Sequence, residues 1–235
     1  MKSHPILFSA PMVRAILDGT KTMTRRAVKP MPGDGSILYV EQDDGSYWPF
    51  RGDGDGGFRV IGGATELEYY CSYGEPGDTL WVRETFARVV TFEGGYRSKT
   101  IYRATDEDAK VGPWTPSIFM SRHNSRIDLR VRAVRVERLQ EITEADARAE
   151  GAMYHDGGGV GHSGWRHDID HGYVYPTARD SFAHLWDSIN AKRGFGWDAN
   201  PWVWVIEFER IKPRAPRGAG QGGRDETQVE KLRDV

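Results

Sequence analysis

The segment 126–139 constrains the fold of this chain more than any other part of the sequence. Apolar and polar residues alternate along it, as they do in a β-strand with one buried face. The alternation slips once near Ala133, and the apolar residues are Ile127, Leu129, Val131, Val134 and Val136. One slip of phase within a strand is typical of a β-bulge, and a bulge bends a sheet. The sequence therefore predicts a curved sheet that approaches a barrel.

Short helices and further strands are predicted around this bulged strand. Ser9 and Gly19 bound a first helix, and Thr143 and Gly151 bound a second that runs through Glu150. A third helix is predicted over 178–190, an extended segment over 20–26, and strands over 80–90 and 202–211. We therefore predict an α+β fold: a small β-barrel with short flanking helices.

Glycine, with 28 residues in the chain, is concentrated outside these predicted elements. Residues 31–70 are interpreted as a glycine-rich insertion with one hairpin turning at Asp44-Gly45. Residues 152–175 are interpreted as a loop rich in glycine and histidine, and residues 212–235 as a disordered tail. We therefore expect a single domain over residues 1–211.

Several classes of protein are excluded by composition. Cys71 is the only cysteine, which excludes an intrachain disulfide and a cysteine-rich zinc site. No apolar run reaches the length of about 18–20 residues that a membrane span needs, and no signal-peptide core is present at the N-terminus. We expect a cytoplasmic protein without a membrane partner, and the sequence leaves its oligomeric state open.

Four histidines in the loop 152–175 raise the question of a metal site. They are His155, His162, His167 and His171. The last two have a spacing that would place both imidazoles on one face of a helix. The surrounding glycines and aspartates disfavour a helix, and a flexible loop holds a metal poorly. We therefore expect a solvated or substrate-contacting loop, with no bound metal and no cofactor.

The formal net charge of −2 conceals two basic segments, 1–30 and 120–138. They fit either an anion-binding face or a mixed surface whose acidic residues lie nearby in space. Arg25 and Arg26 in the first segment are candidate phosphate contacts. Trp114, Ser117 and Arg122 lie in or just before the second, where aromatic and cationic side chains suit base stacking and phosphate contact. The alternative is that the aromatic residues belong to the core and Arg122 to its rim.

Common catalytic motifs do not occur in this sequence. It contains no Gly-x-Ser-x-Gly nucleophile elbow, no phosphate-binding P-loop and no dinucleotide-binding Gly-x-Gly-x-x-Gly. The remaining candidates for chemistry are Lys21, Thr24 and Glu150. Two of them lie in the short sequence that follows the first predicted helix, Gly19-Thr-Lys21-Thr-Met-Thr24-Arg-Arg26.

That short sequence resembles the G-x-K-[ST]-x-[ST]-x-R opening of the ASCH family, a family with a PUA-like β-barrel. Three further segments resemble the family in the expected order: residues 76–80, 139–144 and 205–208. The larger phage-type branch is similar to this chain in three more: residues 6–12, 80–86 and 200–205. The resemblance extends over most of the chain outside the insertion and the tail.

The resemblance implies a protein directed at RNA or modified nucleotides. The bacterial N(4)-acetylcytidine amidohydrolase of that family uses a Lys, a Thr and a Glu, which match Lys21, Thr24 and Glu150. This match implies an amidohydrolase that removes an acyl group from a modified pyrimidine, as a nucleoside or within RNA or DNA. The alternative is a PUA-like module that binds RNA or modified DNA without chemistry, and a third interpretation is a ribonuclease.

The three residues also fit amide hydrolysis on chemical grounds. The reaction needs an attacking group, a stabiliser for the oxyanion and a proton donor for the leaving amine. Lowering a lysine pKa from about 10.4 to about 7 costs about 4.6 kcal/mol, so we expect Lys21 to stay charged and to stabilise the oxyanion. Thr24 would attack or hold a water, and Glu150 would act as acid and base. A regular strand would point Lys21 and Thr24 to opposite sides, which requires an irregularity between them.

Overall fold

The computed structural model describes residues 1–28, 37–41, 47–52, 58–60, 71–91, 97–157, 162–167 and 173–211. The helices in these ranges are α1 (Ala10–Asp18), α2 (Glu144–Ala149) and α3 (Ala178–Asn190). The strands are β1 (Ser3–Leu7), β2 (Met23–Ala27), β3 (Ile37–Glu41), β4 (Tyr47–Gly52), β5 (Phe58–Val60), β6 (Thr79–Arg83), β7 (Phe86–Thr91), β8 (Arg97–Tyr102), β9 (Asp128–Arg138), β10 (Met153–His155), β11 (Gly164–Arg166) and β12 (Trp202–Ile211). The mixed α+β class predicted from sequence is confirmed.

The main sheet has five strands in the order β1-β6-β9-β12-β2. The pair β1–β6 is parallel, and the other three pairs are antiparallel. Within the described ranges no ladder joins β1 to β2, so this part of the sheet is open and the predicted barrel closure is not observed. Strand β2 is therefore an edge strand of the described sheet.

The bulge predicted near Ala133 is present in β9. Ala133 pairs with Glu207 of β12, and Val131 pairs with the next residue, Phe208. Arg132 is thus the extra residue that has no partner directly opposite, which is the arrangement of a β-bulge. The phase slip in the sequence identified this irregularity to within one residue.

Helix ends follow the predicted caps. Gly19 ends α1 with φ +82°, and Gly151 follows α2 with φ +104°, a conformation that favours glycine. The Thr143 hydroxyl accepts a hydrogen bond from the backbone N–H of Asp146 at the start of α2. The Asp146 carboxylate takes no part in this cap and instead accepts hydrogen bonds from Arg25 and Arg135 in the site described below.

The strand predicted over 80–90 is wrong in its extent, because the chain divides it between two sheets. Strand β6 belongs to the main sheet, whereas β7 pairs with β8. Between them Glu84 is buried and accepts hydrogen bonds from the guanidinium of Arg126 at 2.8 and 3.0 Å. Phe86 then exchanges backbone hydrogen bonds with Thr115. This buried ion pair and the new backbone partner explain why the strand does not continue.

The loop predicted over 152–175 contains regular structure. Strand β10 pairs with β11 in antiparallel register, and Trp165 of β11 exchanges backbone hydrogen bonds with Tyr175. In the insertion predicted over 31–70, β3, β4 and β5 form an antiparallel sheet. The proposed turn at Asp44-Gly45, the residue His171 and the tail 212–235 lie outside the described residues.

Two apolar clusters lie on opposite faces of the main sheet. One contains Trp204, Ile206 and Phe208 of β12 together with α1, and the other contains Val203 and Val205 together with α3. Strand β12 is therefore buried on both faces, as its apolar sequence predicts. None of the helices in the described ranges is long and apolar enough to cross a membrane.

Candidate functional site

A buried ion pair joins the end of α2 to the segment between α1 and β2. Lys21 forms a β-bridge with Glu150, and its Nζ lies 2.6 Å from Glu150 Oε2 and 2.8 Å from the Glu150 backbone oxygen. The Lys21 side chain is 0% exposed and that of Glu150 is 3% exposed. Two of the three predicted catalytic residues, 129 positions apart in sequence, are thus in direct contact.

Burial is the main influence on the protonation of Lys21. It lowers the pKa of the ammonium, because a charged group loses its hydration inside the protein. The carboxylate of Glu150 raises the pKa, whereas the neighbouring positive charges of Arg26 and Arg25 lower it further. The ion pair with Glu150 therefore offsets part of the effect of burial, and the pKa of Lys21 remains below its ordinary value.

Arg25 organises the carboxylates around Glu150. Its guanidinium is buried and lies 2.5 Å from Glu137, 2.8 Å from Asp146 and 3.4 Å from Glu150. Arg135 lies 3.1 Å from both Glu137 and Asp146 and completes the network. The predicted phosphate contact of Arg25 gains no support from this geometry, since protein carboxylates already surround the guanidinium.

Thr24 lies on β2, opposite Ile206 of β12, and is almost completely buried. Regular strand structure begins at Met23, and Lys21 precedes it and pairs with Glu150 instead of with β12. The Thr24 hydroxyl forms no hydrogen bond with any residue in the described part of the chain. It is therefore available to a bound molecule.

A pocket of about 230 Å³, here called the ring pocket, brings Thr24 and Glu150 together. Its aromatic wall consists of Tyr73, Phe182, Trp186 and Trp204. Lys21 does not line it, since the ammonium lies behind Glu150. The ring pocket thus combines a hydroxyl, a carboxylate and several flat apolar surfaces.

Arg26 is a cation of the ring pocket, as are Arg25 and the exposed Arg193. One terminal nitrogen of Arg26 donates a hydrogen bond to the Leu7 backbone oxygen at 2.7 Å, and the guanidinium lies 5.1 Å from the centre of the Phe8 ring. Its Nε is buried and has no hydrogen-bond partner among the described residues. Burial lowers the pKa of Arg26. An unpaired buried donor of this kind is costly.

A second pocket of about 270 Å³, here called the apolar pocket, lies on the other side of Glu150. Met12, Glu150 and Leu185 line both pockets. The apolar pocket is completed mainly by apolar side chains, including Ala15 and Met153, and by His167. The two pockets are therefore neighbours separated by three shared side chains.

The remaining predicted binding residues lie elsewhere. Trp114, Ser117 and Arg122 line neither pocket. Arg122 lies 2.9 Å from Asp128 and 5.9 Å from the centre of the Trp81 ring. The structure therefore separates the predicted binding residues of the second basic segment from the pocket that holds Thr24 and Glu150.

The loop histidines differ in their surroundings. His155 and His162 are exposed, whereas His167 is buried, with its Nδ1 at 2.8 Å from the Ser181 hydroxyl. Within the described ranges, no group of three or more His, Cys, Asp or Glu residues is arranged to hold a metal ion. Among the three of these histidines that the structure describes, His167 is the one that lines a pocket.

The aromatic wall of the ring pocket was missed by sequence reasoning. Phe182 and Trp186 occur at helical spacing, and this pattern indicates core packing as readily as it indicates a pocket wall. Trp204 lies in the apolar run of β12, and Tyr73 follows the glycine-rich insertion without any periodic signal. No protein-family model, curated protein or solved structure matches this chain.

Proposed function

We propose that this protein is an amidohydrolase that removes the acyl group from an N(4)-acylated cytosine, as a nucleoside or in a nucleic acid, on an ASCH-type, PUA-like fold. One observation carries the proposal: Thr24 and Glu150 line the same aromatic pocket while Lys21 is ion-paired directly behind Glu150. A carboxylate backed by a buried cation, beside an unpaired hydroxyl, suits the activation of water.

The chemical step needs only these side chains and one water. The water oxygen attacks the carbonyl carbon of the acyl group while Glu150 takes a proton from that water. The carbon–nitrogen bond then breaks, and Glu150 returns the proton to the leaving amino nitrogen, which yields a carboxylic acid and cytosine. Thr24 and Glu150 form no direct hydrogen bond in the described structure. This separation favours Thr24 as the group that holds the water rather than as the nucleophile.

The proposed role of Lys21 differs from the oxyanion contact expected from sequence. Its ammonium lies behind Glu150 and donates to that residue's carboxylate and backbone oxygen. We assign it the task of holding Glu150 in place as an ionised base, which makes it a positioning residue. The guanidinium of Arg26 is the better contact for the developing oxyanion, since Arg26 lines the ring pocket and Lys21 does not.

The dimensions and wall of the ring pocket support a single small base. Drug-sized ligands occupy pockets of about 300–1,000 Å³, and this one is below that range. Tyr73 is the partly exposed ring of its aromatic wall and offers a stacking surface, and stacking on such side chains is the usual way a protein holds an unpaired base. A pyrimidine therefore fits better than a larger ligand.

We expect the purified protein to convert N(4)-acetylcytidine to cytidine and acetate. Liquid chromatography of the nucleosides measures the reaction directly, and the same assay applies to a short RNA that contains the acetylated base. Absence of turnover on the nucleoside, the free base and the RNA alike would contradict the proposed class of reaction.

A second candidate function, binding of single-stranded nucleic acid, is favoured by one surface. The guanidinium groups of Arg83 and Arg122 lie 5.5 and 5.9 Å from the centre of the Trp81 ring, and nearby Phe119 is 70% exposed. Exposed aromatic rings with adjacent arginines are typical of surfaces that stack bases and contact phosphates.

For this candidate we expect binding that weakens with salt. Two phosphate contacts on a single strand predict a loss of about sevenfold in affinity between about 50 and 200 mM salt. Fluorescence anisotropy with a labelled oligonucleotide measures it. Arg122→Ala should reduce the salt dependence, whereas Lys192→Ala, at an exposed position after α3, is the matched control. Affinity that does not change with salt would exclude this function.

A further inference from the structure

The ring pocket has a buried end and an exposed end. Thr24 and Glu150, which carry the proposed chemistry, are each 3% exposed and define the buried end. Among the described residues that line the pocket, the exposed ones are Ser72, Ile189 and Arg193. These three residues therefore surround the mouth through which a ligand enters.

The proposed reaction determines which part of the substrate reaches this mouth. In cytidine the amino group that carries the acyl group is attached to C4 and the ribose to N1, at opposite corners of the pyrimidine ring. When the acyl group lies beside Glu150 at the buried end, the ribose therefore points toward the exposed end. A phosphate on that ribose then lies at the mouth, which Arg193 lines.

Arg193 is a cation without a counter-charge. It forms no hydrogen bond or ion pair with any residue in the described part of the chain. Arg25 differs in this respect, because three carboxylates surround its guanidinium. Glu150 is the one acid among the described residues that line the ring pocket, and its carboxylate faces Lys21 and Arg25. The mouth therefore carries a positive charge that attracts an anion.

The backbone at Arg193 is held against α3. Arg193 ends the short 3₁₀ turn Ala191–Arg193 that follows this helix, and Gly194 comes next with φ +80°. The Trp186 indole of α3 then donates a hydrogen bond to the Phe195 carbonyl oxygen at 2.6 Å. Because Trp186 also belongs to the aromatic wall of the ring pocket, Arg193 is attached at a fixed place beside the bound base.

The chemistry of this mouth suits a phosphate. A guanidinium can donate two parallel hydrogen bonds to phosphate oxygens, and such charge-assisted bonds are stronger than neutral ones. The Ser72 hydroxyl at the same mouth can donate another. An unphosphorylated nucleoside carries no negative charge, so it would leave the Arg193 cation without a partner.

We propose that Arg193 binds a phosphate group on the ribose, so that phosphorylated forms of N(4)-acylated cytidine are preferred to the nucleoside. This inference rests on the proposed amidohydrolase function and narrows its substrate class. The phosphate belongs either to a free nucleotide or to the backbone of a strand. Because the contact is open to solvent, we expect a gain of about fivefold in kcat/KM, the upper range for an exposed ion pair.

The test compares N(4)-acetylcytidine with its 5′-monophosphate, its 3′-monophosphate and a trinucleotide that carries the acetylated base in the middle. The full chain and two variants are measured at low salt, where an exposed contact is least screened. Arg193→Gln removes the proposed contact. Lys192→Gln removes the same charge from the neighbouring exposed residue, which does not line the ring pocket, and is the matched control.

In the proposed arrangement, at least one phosphorylated form exceeds the nucleoside by about fivefold in kcat/KM, and Arg193→Gln removes that gain while Lys192→Gln keeps it. A gain confined to the monophosphates identifies a free nucleotide, and an equal or larger gain in the trinucleotide identifies a strand. Equal kcat/KM for all forms, or a gain that Arg193→Gln lowers no more than Lys192→Gln does, would overturn the phosphate contact and leave the amidohydrolase function intact.

Binding of the products tests the phosphate contact without the reaction. Isothermal titration calorimetry compares cytidine with its two monophosphates on the same three proteins. Absence of turnover for every acetylated form would refute the amidohydrolase function. Tighter binding of a monophosphate that Arg193→Gln abolishes would then still support the phosphate contact, whereas equal binding of cytidine and its monophosphates would overturn it as well.

Discussion

Replacement of Glu150 by glutamine is expected to lower the free energy of unfolding by about 3–5 kcal/mol at neutral pH. The substitution leaves the Lys21 ammonium fully buried without its carboxylate, and breaking one side of a buried ion pair has a cost of this size. It also removes one of the carboxylates that surround the buried Arg25. Urea denaturation followed by tryptophan fluorescence measures the change.

An exposed ion pair in the same chain provides the matched control. Arg14 and Glu107 lie 3.4 Å apart with side chains 34% and 58% exposed. Because solvent screens such a pair, Glu107→Gln should change the free energy of unfolding by less than about 1 kcal/mol. Similar losses in the two variants would show that the Lys21–Glu150 pair contributes no more than a surface pair.

The loss of unfolding free energy in Glu150→Gln should also change with pH, in a direction that the pKa of Lys21 determines. Burial already lowers the pKa of Lys21, and the glutamine variant lacks the carboxylate that raises it. Above the lowered folded-state pKa and up to the ordinary value of 10.5, the unfolded chain binds more protons than the folded one, so stability rises with pH. The natural chain also has a lowered Lys21 pKa, although a less lowered one, so the deficit of the variant should shrink between the folded-state Lys21 pKa of the variant and that of the natural chain, and stay level above the latter. A deficit that stays constant over this range would indicate a packing defect rather than an uncompensated charge.

Local sequence signals predicted the elements that frame the site. The phase slip near Ala133 predicted the bulge in β9, and Thr143 with Gly151 predicted the ends of α2. Each of these signals depends on residues a few positions apart. The break at Glu84 is different, because its cause is an ion pair with Arg126, 42 positions away, that no alternation pattern contains.

The candidate site likewise combines features that the sequence predicts with features that depend on distant contacts. Lys21, Thr24 and Glu150 were identified by family resemblance, and the opposing influences of Glu150 and Arg26 on the Lys21 pKa follow from charge alone. The burial of Arg25 among carboxylates of β9 and α2 was not predictable, since it depends on contacts over more than 100 positions. For the same reason the sequence did not indicate that Lys21 lies behind Glu150 rather than at the pocket surface.

Replacement of Thr24 by valine is expected to reduce kcat/KM for N(4)-acetylcytidine by at least about 100-fold. Valine keeps the branched shape but removes the hydroxyl that, in the proposed mechanism, holds the attacking water, and a misplacement of a reacting group by about 1 Å can cost about 100-fold. Stability should change by less than about 1 kcal/mol, because the hydroxyl leaves no described partner unsatisfied when it is removed. Steady-state kinetics and thermal unfolding measure the two effects separately.

Two companion variants show whether the hydroxyl itself is responsible. Thr24→Ser retains a hydroxyl at the same carbon and should recover most of the activity lost in Thr24→Val. Thr22 is exposed and precedes β2, so Thr22→Val removes a hydroxyl two positions away and should retain nearly full activity. Activity of Thr24→Val within about threefold of the natural chain would exclude Thr24 from the reaction, since a misplaced attacking water should cost far more than that. Loss of activity in Thr24→Ser as well, with the fold intact, would indicate that the Thr24 methyl group positions the hydroxyl against the aromatic wall of the ring pocket.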